Sequence, residues 1–376
     1  LIAQLWFAPW VIARLASVMG MTLKRKKFPT LGWVVAIQAD GHLQWDCLMV
    51  EFVSDYATVY MDTVSKLSDD QPCFLSRIGG SDTNAVVDLL RVTRSDPASL
   101  NLHIDKFLPT VAAYNGFYDL DNPREAYIRY CGTLVKAYLE SRLLYLSNFQ
   151  LLSIFFKNVL HHNFYVEDFP NKSAYSDFIH EIGAKQADLR CYPYQFVEKM
   201  VFDPYTLFRA FSVSLPGKRV AVISPFSESI RSNFSNRFDF FKKNYAYPDF
   251  QLETVDTPIT YSGLPKSYYP HRNWFETLEA LKAAVAATEF DVALMSCGSY
   301  AMPLGCFIEQ ELKRKAVYVG GVLQLYFGVV GRRYDNPFFL DQINREKFIH
   351  PLERDRYLLQ IPVSETAKRE AFGAYF

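Results

Sequence analysis

The chain lacks an excess of charge of either sign: Lys and Arg number 40, Asp and Glu number 40, and the formal net charge is zero. A protein that grips nucleic acid through its phosphates carries a basic surplus, so nucleic acid is not an expected partner. Cysteine is scarce and unpaired in sequence. Six cysteines stand at 47, 73, 131, 191, 297 and 306, with no CxxC pair and no His/Cys spacing of a zinc site. They read as buried free thiols of a reducing compartment. His161 and His162 read as surface or helix-end residues, ahead of metal ligands. No GxGxxG follows a strand-like run and no P-loop pattern occurs, which argues against a standard NAD enzyme and a P-loop NTPase. No GxSxG elbow supports serine hydrolase chemistry. Internal repeats and low-complexity tracts are also missing.

What is present is apolar and aromatic. Half of the 376 residues are hydrophobic, ample for a large core, and there are 31 Phe and 24 Tyr. Most of these rings must be core. A few Tyr and Trp can instead offer an apolar face and a polar edge to a base or a sugar. The opening run "LIAQLWFAPWVIARLASVMGM" precedes "KRKK", Lys24 to Lys27. Gln4, Pro9 and Arg14 interrupt it, so an interfacial amphipathic segment or a non-native leader ahead of Met19 or Met21 fits better than a spanning helix. Residues 1–45 are therefore set apart as a leader or interfacial segment with room for peripheral membrane contact. Residues 46–376 are expected to form a single elaborated domain, clearest at 216–334.

Periodicity supports alternating strands and helices. Residues 46–70 read as a helix with Leu48, Phe52, Tyr56, Val59 and Val64 in approximate helical spacing. Phe74 to Ile78 reads as a strand broken by Gly79 and Gly80, with Ser81 or Asp82 capping a helix. Residues 122–160 look mostly helical and rich in aromatics, and 161–200 look irregular. From 216 the chain reads as strand "RVAVIS", helix "SNFSNRFDFFKKN", strand "FQLETVDTP", helix "NWFETLEALKAAVAATEF", strand "FDVALMSCG", helix "PLGCFIEQELKRK", strand "KAVYVGG" and helix "VLQLYFGV". This alternation predicts a parallel α/β sheet. The expected fold is Rossmann-like, with a mostly parallel sheet flanked by helices and a helical, aromatic-rich insertion.

In such a sheet, ligands bind outside the carboxyl ends of the strands. Those ends read "SPFSES", "SCGSY" and "VGGVLQ", all small or hydroxylic and each followed by a helix. Glycine lets backbone N–H groups approach a ligand, and a helix N-terminus favours phosphate. A glycine turn alone is commonly just turn geometry, but three on one edge point towards a phosphate-bearing ligand. Ser224, Gly298, Ser299, Gly320 and Gly321 are the candidates to hold it. Tyr300 and Gln324 are candidates to read a base or sugar. Arg77, beside Gly79 and Gly80, could clamp a phosphate or pair with a carboxylate, and Arg332 and Arg333 could neutralise a leaving diphosphate. Asp82 and then Glu228 are the candidate bases, with helix capping the other reading of Asp82. Glu276 fits a helix-dipole role.

Several of these segments, in order over about residues 70–376, resemble bacterial glycosyltransferases of the GT-D fold. "FLSRIGGSD" is similar to that family's Arg-x-Gly-x-x-acid turn. "AAYNGFYDLDNPREAYIRY", "VISPFSESI", "NWFETLEALK", "FDVALMSCGSYAMPLG", "AVYVGGVLQLYFGVVGRRYDN" and "REAFGAYF" resemble its later segments. The resemblance implies transfer of a sugar from a nucleotide diphosphate donor, a UDP-sugar first, to a glycan or lipid-linked acceptor in surface-polysaccharide synthesis. It implies action in the cytoplasm, with room for association at the inner face of the membrane. Relatives carry an Asp-x-Glu motif after the first strand. Here Gly80, Ser81 and Asp82 occupy those positions, so the first acid is absent and the second is shortened. A Mg or Mn cofactor is thereby put in question. The competing reading is a non-catalytic nucleotide- or glycan-binding module that kept the fold.

Overall fold

The apolar runs that end in small residues become neighbouring strands of one sheet. The computed structural model describes residues 22–28, 32–38, 51–52, 56–77, 80–141, 143–146, 178, 190–193, 206–242, 246–262, 264–331 and 343–353. The strands are β1 (Thr22–Phe28), β2 (Gly32–Gln38), β3 (Glu51–Phe52), β4 (Cys73–Arg77), β5 (Leu143–Leu146), β6 (Arg190–Pro193), β7 (Arg219–Ser224), β8 (Gln251–Asp256), β9 (Val292–Met295) and β10 (Lys315–Tyr318). The helices are α1 (Tyr56–Ser68), α2 (Gly80–Ser95), α3 (Leu100–Tyr114), α4 (Pro123–Glu140), α5 (Thr206–Ser214), α6 (Ser227–Asn233), α7 (Trp274–Ala287), α8 (Ala301–Gln310) and α9 (Leu323–Tyr326). Strands β3 to β10 form an eight-stranded sheet in the order β3-β6-β5-β4-β10-β9-β7-β8, and its pairings are all parallel. Strands β1 and β2 pair antiparallel in a separate two-stranded sheet. The chain is thus an α/β protein with a Rossmann-like parallel sheet flanked by helices.

A strand buried on both faces needs a run of apolar residues, and β9 and the interiors of β7 and β10 supply it. Ala221, Ile223, Ala293, Met295, Ala316 and Tyr318 enter one core with residues of α2, α3, α4, α7 and α8. Their neighbours Val220, Val222, Val292, Leu294 and Val317 enter the other, with residues of α1, α5, α6 and α9. Helix α7 shows how the local code works. Asn273 caps it by accepting the Glu276 N–H at 3.0 Å, and Trp274, Leu278, Leu281 and Val285 are its buried stripe. Each such side chain contributes about 1.5–3 kcal/mol on burial.

Buried polar groups tie helices where apolar packing cannot fix register. His103 Nδ1 lies 2.7 Å from Asp88 Oδ2 and its Nε2 lies 2.9 Å from Tyr127 Oη, joining α3 to α2 and α4. Lys315 Nζ donates to Lys66 O, Asp69 Oδ1 and Gln71 O at 2.7–2.9 Å, closing the amino end of β10. Four cysteines among the described residues, Cys73, Cys131, Cys297 and Cys306, are buried free thiols as expected, and burial pushes each up to about 12.

Two expected helices are corrected. The helix expected over 46–70 begins at Tyr56, because Phe52 lies in β3, paired with Cys191 of β6. The helix expected over 232–244 lies earlier. Helix α6 ends at Asn233, and Phe234–Asp239 is a 3₁₀ turn. Asn233 is the reason: its amide donates to Gly328 O and Lys347 O, both at 2.9 Å, and leaves the helix for the neighbouring loops. Residues 161–200, expected to be irregular, contain β6. The run 1–21 lies outside the described residues, as do His161 and His162. Among the described residues no helix is long and apolar enough to cross a membrane.

Candidate active site

The carboxyl ends of β4 and β10 lie side by side at the centre of the sheet. The helices that follow them diverge. Ala85 and Val86 of α2 pack on one face, Leu323 and Leu325 of α9 on the other. Divergence of this kind opens a crevice outside the strand ends.

Arg77, the last residue of β4, stands at these strand ends. Its Nη1 donates to Val319 O at 3.1 Å, and its guanidinium lies 5.1 Å from the centre of the Tyr318 ring. Gly320 makes room for it. A Cβ built there would lie 1.8 Å from Arg77 Nη1, and the glycine has φ +77°, which disfavours any side chain. The second glycine turn of the sequence therefore seats a guanidinium.

Asp82, in the first turn of α2, faces the same place. It is only 5 % exposed. The Tyr130 hydroxyl of α4 donates to its Oδ1 at 2.6 Å. Burial pushes its carboxyl up to about 6; the Tyr130 hydroxyl, the Asn115 amide and the charge of Arg77 pull the other way. Burial, with the Asp82 charge, holds the Tyr130 phenol far above its ordinary range. A carboxyl poised near neutrality beside a fixed cation can exchange a proton while the cation faces an anion.

Residues 115–120 are held at the edge by α7. Trp274 N donates to Tyr118 O at 2.9 Å and Leu120 N donates to Arg272 O at 3.1 Å. Ser299 completes the support: it accepts the Trp274 indole N–H at 3.0 Å and donates to Asn115 O at 2.8 Å. Gly298, at φ +58°, lets the turn pass that same carbonyl; a Cβ there would lie 3.3 Å from it. Tyr300 stacks on Trp274 with ring centres 5.1 Å apart and meets Thr260 Oγ1 at 3.1 Å. Ser299 and Tyr300 thus point into the core and position Asn115.

The turn after β7 is built differently. Ser224 Oγ accepts the Phe226 N–H, and Ser224 O accepts the Ser227 hydroxyl. The buried carboxylate of Glu353 then fills the start of α6. Its Oε1 accepts the Glu228 and Ser229 N–H groups at 3.0 and 3.1 Å, and its Oε2 accepts the Ser229 hydroxyl. Glu228 itself is exposed. β10 and β9 separate β4 from β7, so three strand spacings, about 14 Å, divide the Asp82 and Glu228 turns.

Gly321 is half-buried, and Gln324 is buried at the start of α9. Gly79, Arg332 and Arg333 lie outside the described residues. Of the residues singled out from sequence, Arg77, Asp82 and Gly320 come together. Asn115, Tyr130 and Glu353 were missed. The first two stand in "AAYNGFYDLDNPREAYIRY", the segment whose resemblance to the glycosyltransferases was noted, and that was the signal available. A shallow surface groove of about 470 Å³ lies between α4 and α7, lined by Arg129, His271, Asn273, Phe275, Glu276 and Glu279. It holds none of the residues proposed for phosphate.

Comparison with protein-family models, with curated proteins and with solved structures gives no match for this chain in any of the three.

Proposed function

We propose that the chain is a glycosyltransferase of the GT-D type, moving a sugar from a nucleotide diphosphate donor, a UDP-sugar first, to a glycan or lipid-linked acceptor. The observation that carries the reading is Arg77, seated by Gly320 at the carboxyl edge of a parallel sheet, with its charge acting on the buried Asp82 carboxyl. In this mechanism the acceptor hydroxyl gives its proton to the Asp82 carboxylate as its oxygen attacks the anomeric carbon. The bond from that carbon to the diphosphate oxygen breaks, and the nucleoside diphosphate leaves with the electron pair. The Arg77 guanidinium faces the charge that develops there. Tyr130 holds the carboxylate in place. The setting is surface-polysaccharide synthesis in the cytoplasm at the inner face of the membrane, and the buried free thiols support a reducing compartment.

A Mg or Mn ion, which the resemblance implies, does not fit this donor set. Asp82 is a single buried carboxylate already engaged by a hydroxyl, and the charge of the Arg77 guanidinium acts on it. No group of three or more His, Cys, Asp or Glu among the described residues could hold a metal.

The test is sugar transfer, or donor hydrolysis where the acceptor is unidentified, for wild type and Asp82→Asn. Asn can still accept the Tyr130 hydroxyl, so the variant should fold and melt cooperatively while the rate falls roughly 100-fold or more. Equal rates would take Asp82 out of the mechanism. One observation favours the second reading, a non-catalytic nucleotide- or glycan-binding module: the small exposure of Asp82. That reading predicts binding of the donor with no turnover in either protein.

A further inference from the structure

A leaving diphosphate needs positive charge close by. A divalent ion supplies it in many transferases, at the cost of needing oxygen ligands that are deprotonated and free to turn towards the metal. The crevice offers the opposite. The Tyr130 hydroxyl donates to Asp82 Oδ1 at 2.6 Å, and the carboxylate is buried. The Arg77 charge acts on it as well, and a second cation beside a guanidinium would be repelled. The next candidate acid, Glu228, lies about 14 Å away by strand count, beyond reach of a shared ion. Its turn is filled by Glu353.

The guanidinium, by contrast, is built into the fold from three directions. Val319 O anchors Nη1, the Tyr318 ring lies beneath the charge, and Gly320 leaves out the side chain that would collide with it. Tyr318 is itself fixed, donating to Gly298 O at 3.2 Å. An arginine ordered in advance loses little freedom when it meets an anion, and its planar fork matches phosphate oxygens.

We infer that Arg77, and not a divalent cation, balances the donor diphosphate, so that donor binding is independent of metal. This rests on the nucleotide-sugar reading above. The experiment is calorimetric titration of UDP, GDP, ADP and dTDP into the full chain in chelator, repeated with added MnCl₂ and MgCl₂. Wild type should bind one nucleotide with the same affinity in all three solutions. Arg77→Ala, checked for an intact melt, should lose about 10–100-fold in that affinity, the range for hydrogen bonds to a charged group. Arg77→Lys, which keeps the charge and loses the fork, should fall between. The wild-type comparison with and without metal carries the test even where Arg77→Ala fails to fold. Binding that requires Mn or Mg overturns the inference and leaves the nucleotide reading standing. No binding of any diphosphate in any solution overturns the nucleotide reading, and the inference with it.

Discussion

Two turns that look alike in sequence differ in what fills them. The turn after β7, "SPFSES", and the glycine turn after β10, "VGGVLQ", both present small residues ahead of a helix on one edge of the sheet. After β7, the chain's own Glu353 carboxylate takes the backbone donors at the start of α6. After β10, Gly320 seats Arg77, and a cation beside a poised carboxyl faces the crevice. The lesson is physical: small residues at a strand end create space and orient donors, but the group that arrives from elsewhere, a carboxylate in one turn and a guanidinium in the other, decides the charge presented there. The first turn is a structural joint, and the second carries the proposed chemistry.

The contrast sets opposite expectations for the two carboxylates. Asp82 carries a raised carboxyl, about 6 against an ordinary 3.8. The folded state therefore binds its proton more tightly than the unfolded chain does. The stability this gives is fully present below about pH 4 and is lost as pH rises through about 6. Wild type should gain about 2.4 kcal/mol relative to Asp82→Asn as pH is lowered from about 7 to 4, read from denaturant curves of the two proteins at each pH. Parallel curves would show that Asp82 is not buried as described. The proposed base is ionised above about pH 6, so transfer should fall on the acid side of that value.

Glu353 should behave as structure. Glu353→Ala leaves two backbone N–H groups of α6 without their acceptor, which should cost roughly 2–3 kcal/mol of unfolding free energy. An unchanged denaturation midpoint would make the β7 turn an open anion site after all. The smallest effect concerns the strand on which Arg77 stands. Gly305 of α8 lies so close to Phe74 of β4 that a Cβ there would be 2.2 Å from the ring. Helix propensity alone would make Gly305→Ala stabilising by about 1 kcal/mol. Overpacking costs about 1–3 kcal/mol, so the net should be a loss of about 1 kcal/mol. A gain in melting temperature would contradict this packing of α8 on β4.

Much of the frame was legible because its signals are local. β7, β9 and β10 are apolar on both faces and bounded by Gly or charged residues, and α7 announces itself through Asn273 and a buried stripe. Arg77 and Asp82 were legible as candidates because they flank a glycine break. Their supporting partners were not, since Tyr130 is 48 residues from Asp82 and Glu353 is 124 from Ser229. No periodicity or spacing encodes such pairs. The same limit explains α6, whose end is set by Asn233 bonding to carbonyls 95 and 114 residues away.

The central claim is that the β4–β10 crevice, and not the β7 turn, meets the donor diphosphate. Calorimetric titration of UDP into wild type, Arg77→Ala and Glu353→Ala tests it most directly. The account predicts UDP affinity about 10–100-fold weaker in Arg77→Ala and unchanged in folded Glu353→Ala. Full affinity in Arg77→Ala, with altered affinity in Glu353→Ala, would contradict it and move the anion site to the turn after β7.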